Sequence, residues 1–244
     1  MNYKAVLQYD GTRHRGWQTQ GNTDNTIQGK LETLLTKMAG EPVEVNGSGR
    51  TDAGVHAAGQ VISFRCKTKE SPEEICRYMN EYLPEDIAVL TVEEAAPRFH
   101  ARLNAVRKTY VYRIWNAPVR NVFRRRFTTW IQKPLDLDAM EQAATLLCGT
   151  HDYRAFCSLK KFKKSTVRTI EKIEIGKMGQ EIRISYTGDG FLYHMVRILT
   201  GTLVEVGLGL RKPEEMTEIL EGQDRTKAGR LMPPEGLTLE SVEY

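Results

Sequence analysis

No stretch of this 244-residue chain approaches the ~20 consecutive apolar residues that a membrane-spanning helix needs. The four cysteines, Cys66, Cys76, Cys148 and Cys157, form no Cys-x-x-Cys. His14, His56, His100, His151 and His194 are scattered, and no two of them have zinc-ligand spacing. There is no Walker A sequence, and Gly47-x-Gly49 lacks the third glycine of a dinucleotide fingerprint, with Asp52 standing where it belongs. The opening Met1-Asn2-Tyr3-Lys4 leads into a strand-like segment rather than an apolar leader. The expectations are a cytoplasmic protein with reduced thiols, no membrane span, no metal and no cofactor.

Acidic residues are also missing, but only locally. Residues 95–135 hold ten Lys or Arg and no Asp or Glu, and residues 153–170 hold six more with no acid. The rest of the chain carries 19 bases against 31 acids, so the formal net charge of +4 hides a basic middle in an acidic chain. A solvated helix face mixes signs, so this segregation points to an anionic partner. Arg124-Arg125-Arg126 and Lys160-Lys161-Phe162-Lys163-Lys164 are the densest runs, with Phe123, Phe127 and Phe156 nearby. Basic side chains interleaved with aromatics suit nucleic acid, where phosphates are tracked and bases stack. A solubilising surface or a patch for acidic protein or lipid would also use such charge.

With 40% apolar residues the chain has enough hydrophobic surface to fold. Tyr3, Ala5, Leu7 and Tyr9 alternate as in a strand that ends at Asp10-Gly11. Ile27, Leu31, Leu34, Leu35 and Met38 keep helical spacing up to Gly40. Val43–Asn46 and Gln60–Phe64 read as strands, and Ser71-Pro72-Glu73-Glu74 as a capping box opening a helix that stops before Pro84. In the second half, Lys108–Trp115 reads as a strand and Asp138-x-x-Glu141 as the cap of a helix ended by Gly149. Ile173–Ile175 and Glu181–Tyr186 form a hairpin around Met178-Gly179. Phe191–Val206 is apolar on most faces and reads as a buried helix; Pro213–Glu221 is a short amphipathic helix and Leu237–Tyr244 a last strand. The pattern predicts an α+β chain in two halves, 1–104 and 105–244, each with about two helices on a sheet.

The densest chemical signal is Asn46-Gly47-Ser48-Gly49-Arg50-Thr51-Asp52-Ala53-Gly54-Val55-His56-Ala57. Glycines let such a loop turn sharply and approach a ligand closely. Arg50 and Asp52, two apart, share a side of an extended chain. There a carboxylate beside a guanidinium stays ionised and can serve as nucleophile or base. An Asp that closes a tight turn beside a solvated Arg accounts for the same residues. Tyr110, Tyr112 and Ile114 alternate on one strand face; Tyr112 reads as core, and Tyr110, between the basic runs, as core or as a stacking platform. His194 and Arg197 are three apart on the apolar Phe191–Val206 helix. Arg197 either snorkels to water or pairs with a carboxylate such as Asp52, because an unpaired buried charge is costly.

Gly49–Ala57 resembles the catalytic motif of the TruA family of tRNA pseudouridine synthases. Lys108-Thr109-Tyr110-Val111-Tyr112-Arg113-Ile114 resembles that family's second motif, and Gly188-Asp189-Gly190-Phe191-Leu192-Tyr193-His194-Met195-Val196-Arg197 its third. Asp10-Gly11-Thr12, Gly16–Gln20, Gly149–Asp152 and Pro233–Leu237 follow in family order. The chain departs from the pattern at Arg230-Leu231-Met232, where the family usually has Thr-Ala before the prolines, and at Thr238, in place of a usual Tyr.

The resemblance implies a pseudouridine synthase fold: two α+β halves with a joined, mainly antiparallel sheet, helices on one side and an RNA-binding cleft on the other. It implies a homodimer that isomerises uridine to pseudouridine at tRNA positions 38, 39 and 40, in the anticodon stem-loop, without cofactor or metal. Asp52 is then the nucleophile, Arg197 its ion-pair partner, Tyr110 the residue that stacks on the uracil, and Arg50 the residue that fills the space a flipped base leaves. Arg124, Arg125, Arg126, Lys160, Lys161, Lys163 and Lys164 are the expected RNA-backbone contacts. Attack at C6 of the uracil and at C1′ of the ribose both remain open. A non-catalytic RNA-binding module would keep the basic runs without needing Asp52, Tyr110 and Arg197 together. A carboxylate-based hydrolase would need a second acid, and no motif supplies one.

Overall fold

Two units account for every residue, Met1–Tyr244, of the computed structural model: Met1–Val106 with Thr238–Tyr244, and Arg107–Leu237. In chain order the elements are β1 (Asn2–Tyr9), α1 (Ile27–Ala39), β2 (Val45–Gly47), β3 (His56–Arg65), α2 (Pro72–Tyr82), β4 (Ile87–Glu94), β5 (Arg107–Asn116), β6 (Thr129–Ile131), α3 (Leu137–Leu146), β7 (Gly149–Asp152), β8 (Val167–Met178), β9 (Glu181–Gly188), α4 (Met195–Gly207), α5 (Glu215–Gly222) and β10 (Leu237–Glu243). The sequence places the last strand in the second half; the structure returns Thr238–Tyr244 to the first unit. The reason is pairing: β10 runs parallel to β3, with Thr238 opposite His56 and Leu239 opposite Ala57.

In the first unit the strand order is β4-β1-β3-β10, and β2 also pairs with β3. β1 lies antiparallel between β3 and β4. The alternation of Tyr3, Ala5, Leu7 and Tyr9 buries all four, and Tyr3 stacks on Phe64 at 5.4 Å. From α1 the same core receives Ile27, Leu31, Leu34 and Leu35, and from α2 Ile75 and Met79. Each such side chain contributes about 1.5–3 kcal/mol on leaving water. Thr26 caps α1 by accepting the Gly29 N–H, and Gly40 ends it at φ 69°. The capping box at Ser71 forms as expected, with the Glu74 carboxylate accepting the Ser71 N–H at 2.8 Å.

In the second unit β5-β9-β8-β7 form an antiparallel series, and β6 adds to β5 in parallel. Three helices belong to this unit rather than about two. α3 starts earlier than Asp138 suggests: Asp136 is the cap, accepting the Ala139 N–H at 3.0 Å, while Asp138 sits in the first turn. Gly149 does not end that helix, whose cap is Leu147; at φ 108° it opens β7 instead. α4 also differs from expectation. It begins at Met195, because His194 takes φ 65°, a left-handed conformation that stops helix at that point. Once begun, α4 is buried almost all round, as its apolar sequence requires.

Candidate active site

The Asp52 loop leaves β2 at Gly47 and enters β3 at His56. It is held first through its backbone. The Ser48 N–H donates to the Val61 carbonyl at 2.7 Å, and the Trp17 N–H to the Thr51 carbonyl at 3.0 Å. The Val55 N–H closes a turn on the Asp52 carbonyl at 3.1 Å, across Gly54 at φ 81°. Gly47 faces the Trp17 ring so closely that a Cβ would lie 2.5 Å from it, so no larger residue fits there.

A buried polar network braces the same loop from below. The Tyr9 and Thr51 hydroxyls meet at 2.7 Å. Gln60 donates to the Gly49 carbonyl at 3.0 Å and accepts from the Ser48 hydroxyl at 2.6 Å. Tyr9, Ser48, Thr51 and Gln60 are all buried, so the Tyr9–Thr51 and Ser48–Gln60 bonds are formed away from water. Burial pushes the Tyr9 phenol up to about 12, against the smaller opposing effect of its bonds to Thr51 and Gln60. Its O–H therefore stays a neutral partner for Thr51 at ordinary pH. On this platform Asp52 is half-buried and Arg50 exposed. His56, at the loop's exit, is buried; the Gly11 N–H donates to its Nδ1 at 3.1 Å, and the Asp10 carboxylate stands 3.2 Å from the same atom.

The second unit carries the other expected residues. Tyr110, on β5 opposite Tyr186, is buried, and Phe191 meets its ring edge-on at 5.3 Å. Phe191 lies outside α4. Tyr112, expected in the core, is fully buried and donates to the Pro233 carbonyl at 2.7 Å. Arg197 lies in the first turn of α4 and is 8% exposed, so it does not snorkel into water. Its Nε donates to the Met232 carbonyl at 2.7 Å, which fixes the plane of the guanidinium.

Met232 belongs to a segment stitched onto α4 along its length. The Gly229 N–H donates to the Thr202 hydroxyl at 2.9 Å and the Arg230 N–H to Glu205 at 3.0 Å. A Cβ on Gly201 would lie 1.9 Å from the Arg230 carbonyl oxygen, so helix and segment touch backbone to backbone. His194 does not share a helical face with Arg197, since it precedes the helix. Its ring stacks on Tyr193 at 3.7 Å and its Nδ1 meets the Ser158 hydroxyl at 2.9 Å.

The basic runs are treated unequally. Arg124 forms an ion pair with Glu181, which Arg183 also holds at 2.6 Å. Burial works to raise the Glu181 carboxyl, but the two arginines outweigh it and hold it below the usual carboxylate value. Arg125 and Arg126 are exposed, as are Lys160, Lys161, Lys163 and Lys164. Phe162, within the lysine run, lies under the Arg154 guanidinium at 5.3 Å.

No group of three or more His, Cys, Asp or Glu is placed to hold a metal, and no helix is long and apolar enough to cross a membrane. All four cysteines are free thiols, and burial raises the Cys157 thiol. Sequence reasoning missed Tyr9, Ser48, Gln60 and the Met232 carbonyl as supports of the site. Gln60 left a signal, a glutamine heading the mostly apolar strand Gln60–Phe64. A backbone carbonyl leaves none.

Known proteins resemble this chain along most of its length. The model of a family described as tRNA pseudouridine synthase matches residues 5–104 and 143–244. A tRNA pseudouridine synthase A of Bacillus sp. (strain KSM-64) is 48% identical over 243 residues, covering 100% of this chain and 99% of its own. One of the same name from Brevibacillus brevis is 47% identical, covering 99% and 98%. A tRNA pseudouridine synthase A 2 of Bacillus anthracis is 44% identical, covering 100% and 99%.

Proposed function

Since this chain belongs to the tRNA pseudouridine synthase family, and so is an isomerase acting on tRNA, we propose that it converts uridine to pseudouridine in the anticodon stem-loop, at positions 38, 39 and 40. The observation that supports the catalytic assignment best is the construction around Asp52. A half-buried carboxylate is carried on a loop that two backbone bonds and a buried network hold on both sides. That amount of fixed structure under one exposed-edge carboxylate is what a nucleophile in a defined attack geometry requires.

The reaction exchanges the C1′–N1 bond of uridine for a C1′–C5 bond. N1 gains a proton and C5 loses one, so atoms and electrons balance with no redox step and no added group. Asp52 is the nucleophile, toward C6 of the uracil or C1′ of the ribose. Arg197 is its ion-pair partner and keeps it charged and oriented. The bond from Arg197 Nε to Met232 suits this role, because it sets the guanidinium direction before substrate arrives. Tyr110 stacks on the uracil, its ring held edge-on by Phe191. The target base must leave its stem, which costs a few kcal/mol of stacking, and Arg50 fills the space it vacates. The exposed arginines and lysines of the two basic runs hold the tRNA backbone through phosphates and shape. The first unit thus carries the nucleophile and the second the tyrosine and arginine. The working enzyme is a homodimer in the cytoplasm.

Incubation of the purified protein with unmodified tRNA, followed by chemical mapping of pseudouridine, tests this reading. Pseudouridine confined to positions 38–40 is the expected result. Modification elsewhere in the tRNA, or none, overturns the site assignment.

A further inference from the structure

Phe123 is the most exposed large apolar side chain in the molecule, at 94%. Val119 and Val122, beside it in sequence, are exposed as well. The loop that carries them is braced. The Asn121 side chain accepts the N–H groups of Phe123 and Arg124 at 3.1 and 3.2 Å. The Phe127 and Thr128 N–H groups close on the Arg124 carbonyl at 2.9 and 3.1 Å. Trp115 donates to the Val119 carbonyl and Trp130 to the Ala117 carbonyl, at 3.0 and 2.8 Å. Arg120 lies 4.5 Å over the Trp130 ring, Arg125 donates to the Val122 carbonyl, and Arg124 is held by Glu181. Several of these basic groups therefore shape the loop, while the aromatic ring at its tip is left in water. An apolar side chain displayed on a preorganised loop is the ordinary signature of a contact site.

Charge selects the partner. No acid lies between residues 95 and 135, and Arg125 and Arg126 follow Phe123 closely. A second copy meeting this tip about a two-fold axis would bring the exposed Arg125 and Arg126 of both copies together, which like charge opposes. An unpaired nucleotide offers both an anionic phosphate and a flat face. We propose that Phe123 stacks on an unpaired base of the bound tRNA, with Arg125 and Arg126 on the adjoining phosphates. This rests on the tRNA reading above and adds a contact that the base-isomerising residues do not supply. The base is unpaired because bases inside an RNA helix present no free face.

The test uses the full chain and unmodified tRNA. Phe123→Ala should bind roughly five-fold or more weakly, the loss expected for one stacked base. Its salt dependence should match wild type, because no phosphate contact is removed. Phe123→Trp should restore affinity. Replacing Arg125 and Arg126 by Gln should instead flatten the log–log salt slope by roughly 0.7–0.9 per phosphate lost. A photocrosslinking phenylalanine analogue at position 123 should label a loop nucleotide. Unchanged affinity of Phe123→Ala, or crosslinking to a second polypeptide, overturns the proposal. Pseudouridine formation by wild type on the same tRNA is read separately, so a failure of the enzymatic reading and a failure of the Phe123 contact give different results.

Discussion

The Asp52 loop and the start of α4 hold their key side chains by opposite means. Asp52 stands on a loop of a few residues, braced by neutral side chains buried beneath it: Tyr9, Thr51, Gln60 and Ser48. Arg197 stands on a helix that is itself core, braced by backbone: the Met232 carbonyl, and the close crossing of Gly201 with Arg230. A carboxylate on a loop needs a rigid floor, because the loop has little regular structure of its own. A guanidinium on a buried helix needs an acceptor, because an unpaired buried charge is costly. The same demand, one fixed direction for a charge, is met by polar side chains in the first unit and by main-chain packing in the second.

The largest expected effect removes a charge and leaves its support intact. Asp52→Asn keeps the loop and its network, so tRNA affinity should stay within a few-fold of wild type. Single-turnover tritium release from [5-³H]uridine tRNA should fall by roughly a thousand-fold or more. Substantial release by the variant would sink the nucleophile assignment. Loss of binding together with activity, in a folded variant, would make Asp52 a structural turn residue.

Arg197→Met tests the helix side in the same way. Methionine fills much of the arginine stem's volume on an apolar helix but cannot donate to Met232 or pair with a carboxylate. The rate should fall by roughly a hundred-fold, the scale for loss of one preorganised charged donor, while circular dichroism shows a folded protein and melting drops by no more than the loss of one buried hydrogen bond, about 1–3 kcal/mol. Near-normal turnover would dispose of the pairing.

The supports differ more in stability than in chemistry. Gly201→Ala forces a methyl to within contact of the Arg230 carbonyl and should lower stability by about 1–3 kcal/mol, read as a lower thermal midpoint. Arg197 rides on this crossing, so activity should drop with it. A variant as stable as wild type would show that the crossing can give way.

Tyr9→Phe is the gentlest change. It deletes one hydroxyl and leaves Thr51 short of a partner, at about 1–2 kcal/mol. It also carries a pH signature. The folded Tyr9 titrates near 12 against 10.0 ordinarily, so its stability contribution is fully present below pH 10 and is lost as pH rises toward 12. Chemical denaturation between pH 10 and 12 should therefore show a shallower decline in Tyr9→Phe than in wild type. Equal slopes would mean that Tyr9 titrates alike in both states. Burial likewise raises Tyr112, Tyr153 and Tyr186, so some alkaline decline persists in the variant.

Where the sequence reading agrees with the fold, the physics is local. The β1 alternation, the Ser71 capping box and the Gly40 stop involve neighbours within a few residues, and all three are where the sequence puts them. β4 has its outer half in water, so its pattern, Ile-Ala-Val-Leu-Thr-Val-Glu-Glu, shows no clean alternation. β8 buries little of its length and runs far beyond the three residues its pattern suggests. The start of α4 falls later than its pattern because helical periodicity runs through Phe191–Tyr193, while the stop lies in one dihedral angle at His194, a conformation that histidine adopts only uncommonly.

The sequence by itself determined the two-part α+β plan, the segregation of charge and the residue types at the site, because periodicity, capping and composition act over short distances along the chain. The family follows from the same residues, in motifs that run from Asp10 to Leu237. Only the tertiary structure decided that β10 returns to the first unit, that Arg124 is tied to Glu181, and that Tyr9 and Gln60 brace the Asp52 loop and a carbonyl at Met232 holds Arg197. The bonds of Tyr9 to Thr51, Arg124 to Glu181 and Arg197 to Met232 join residues 35 to 57 apart in sequence. Whether such groups meet depends on how the strands and helices pack, and a polar side chain shows its purpose only when burial forces it to find a partner.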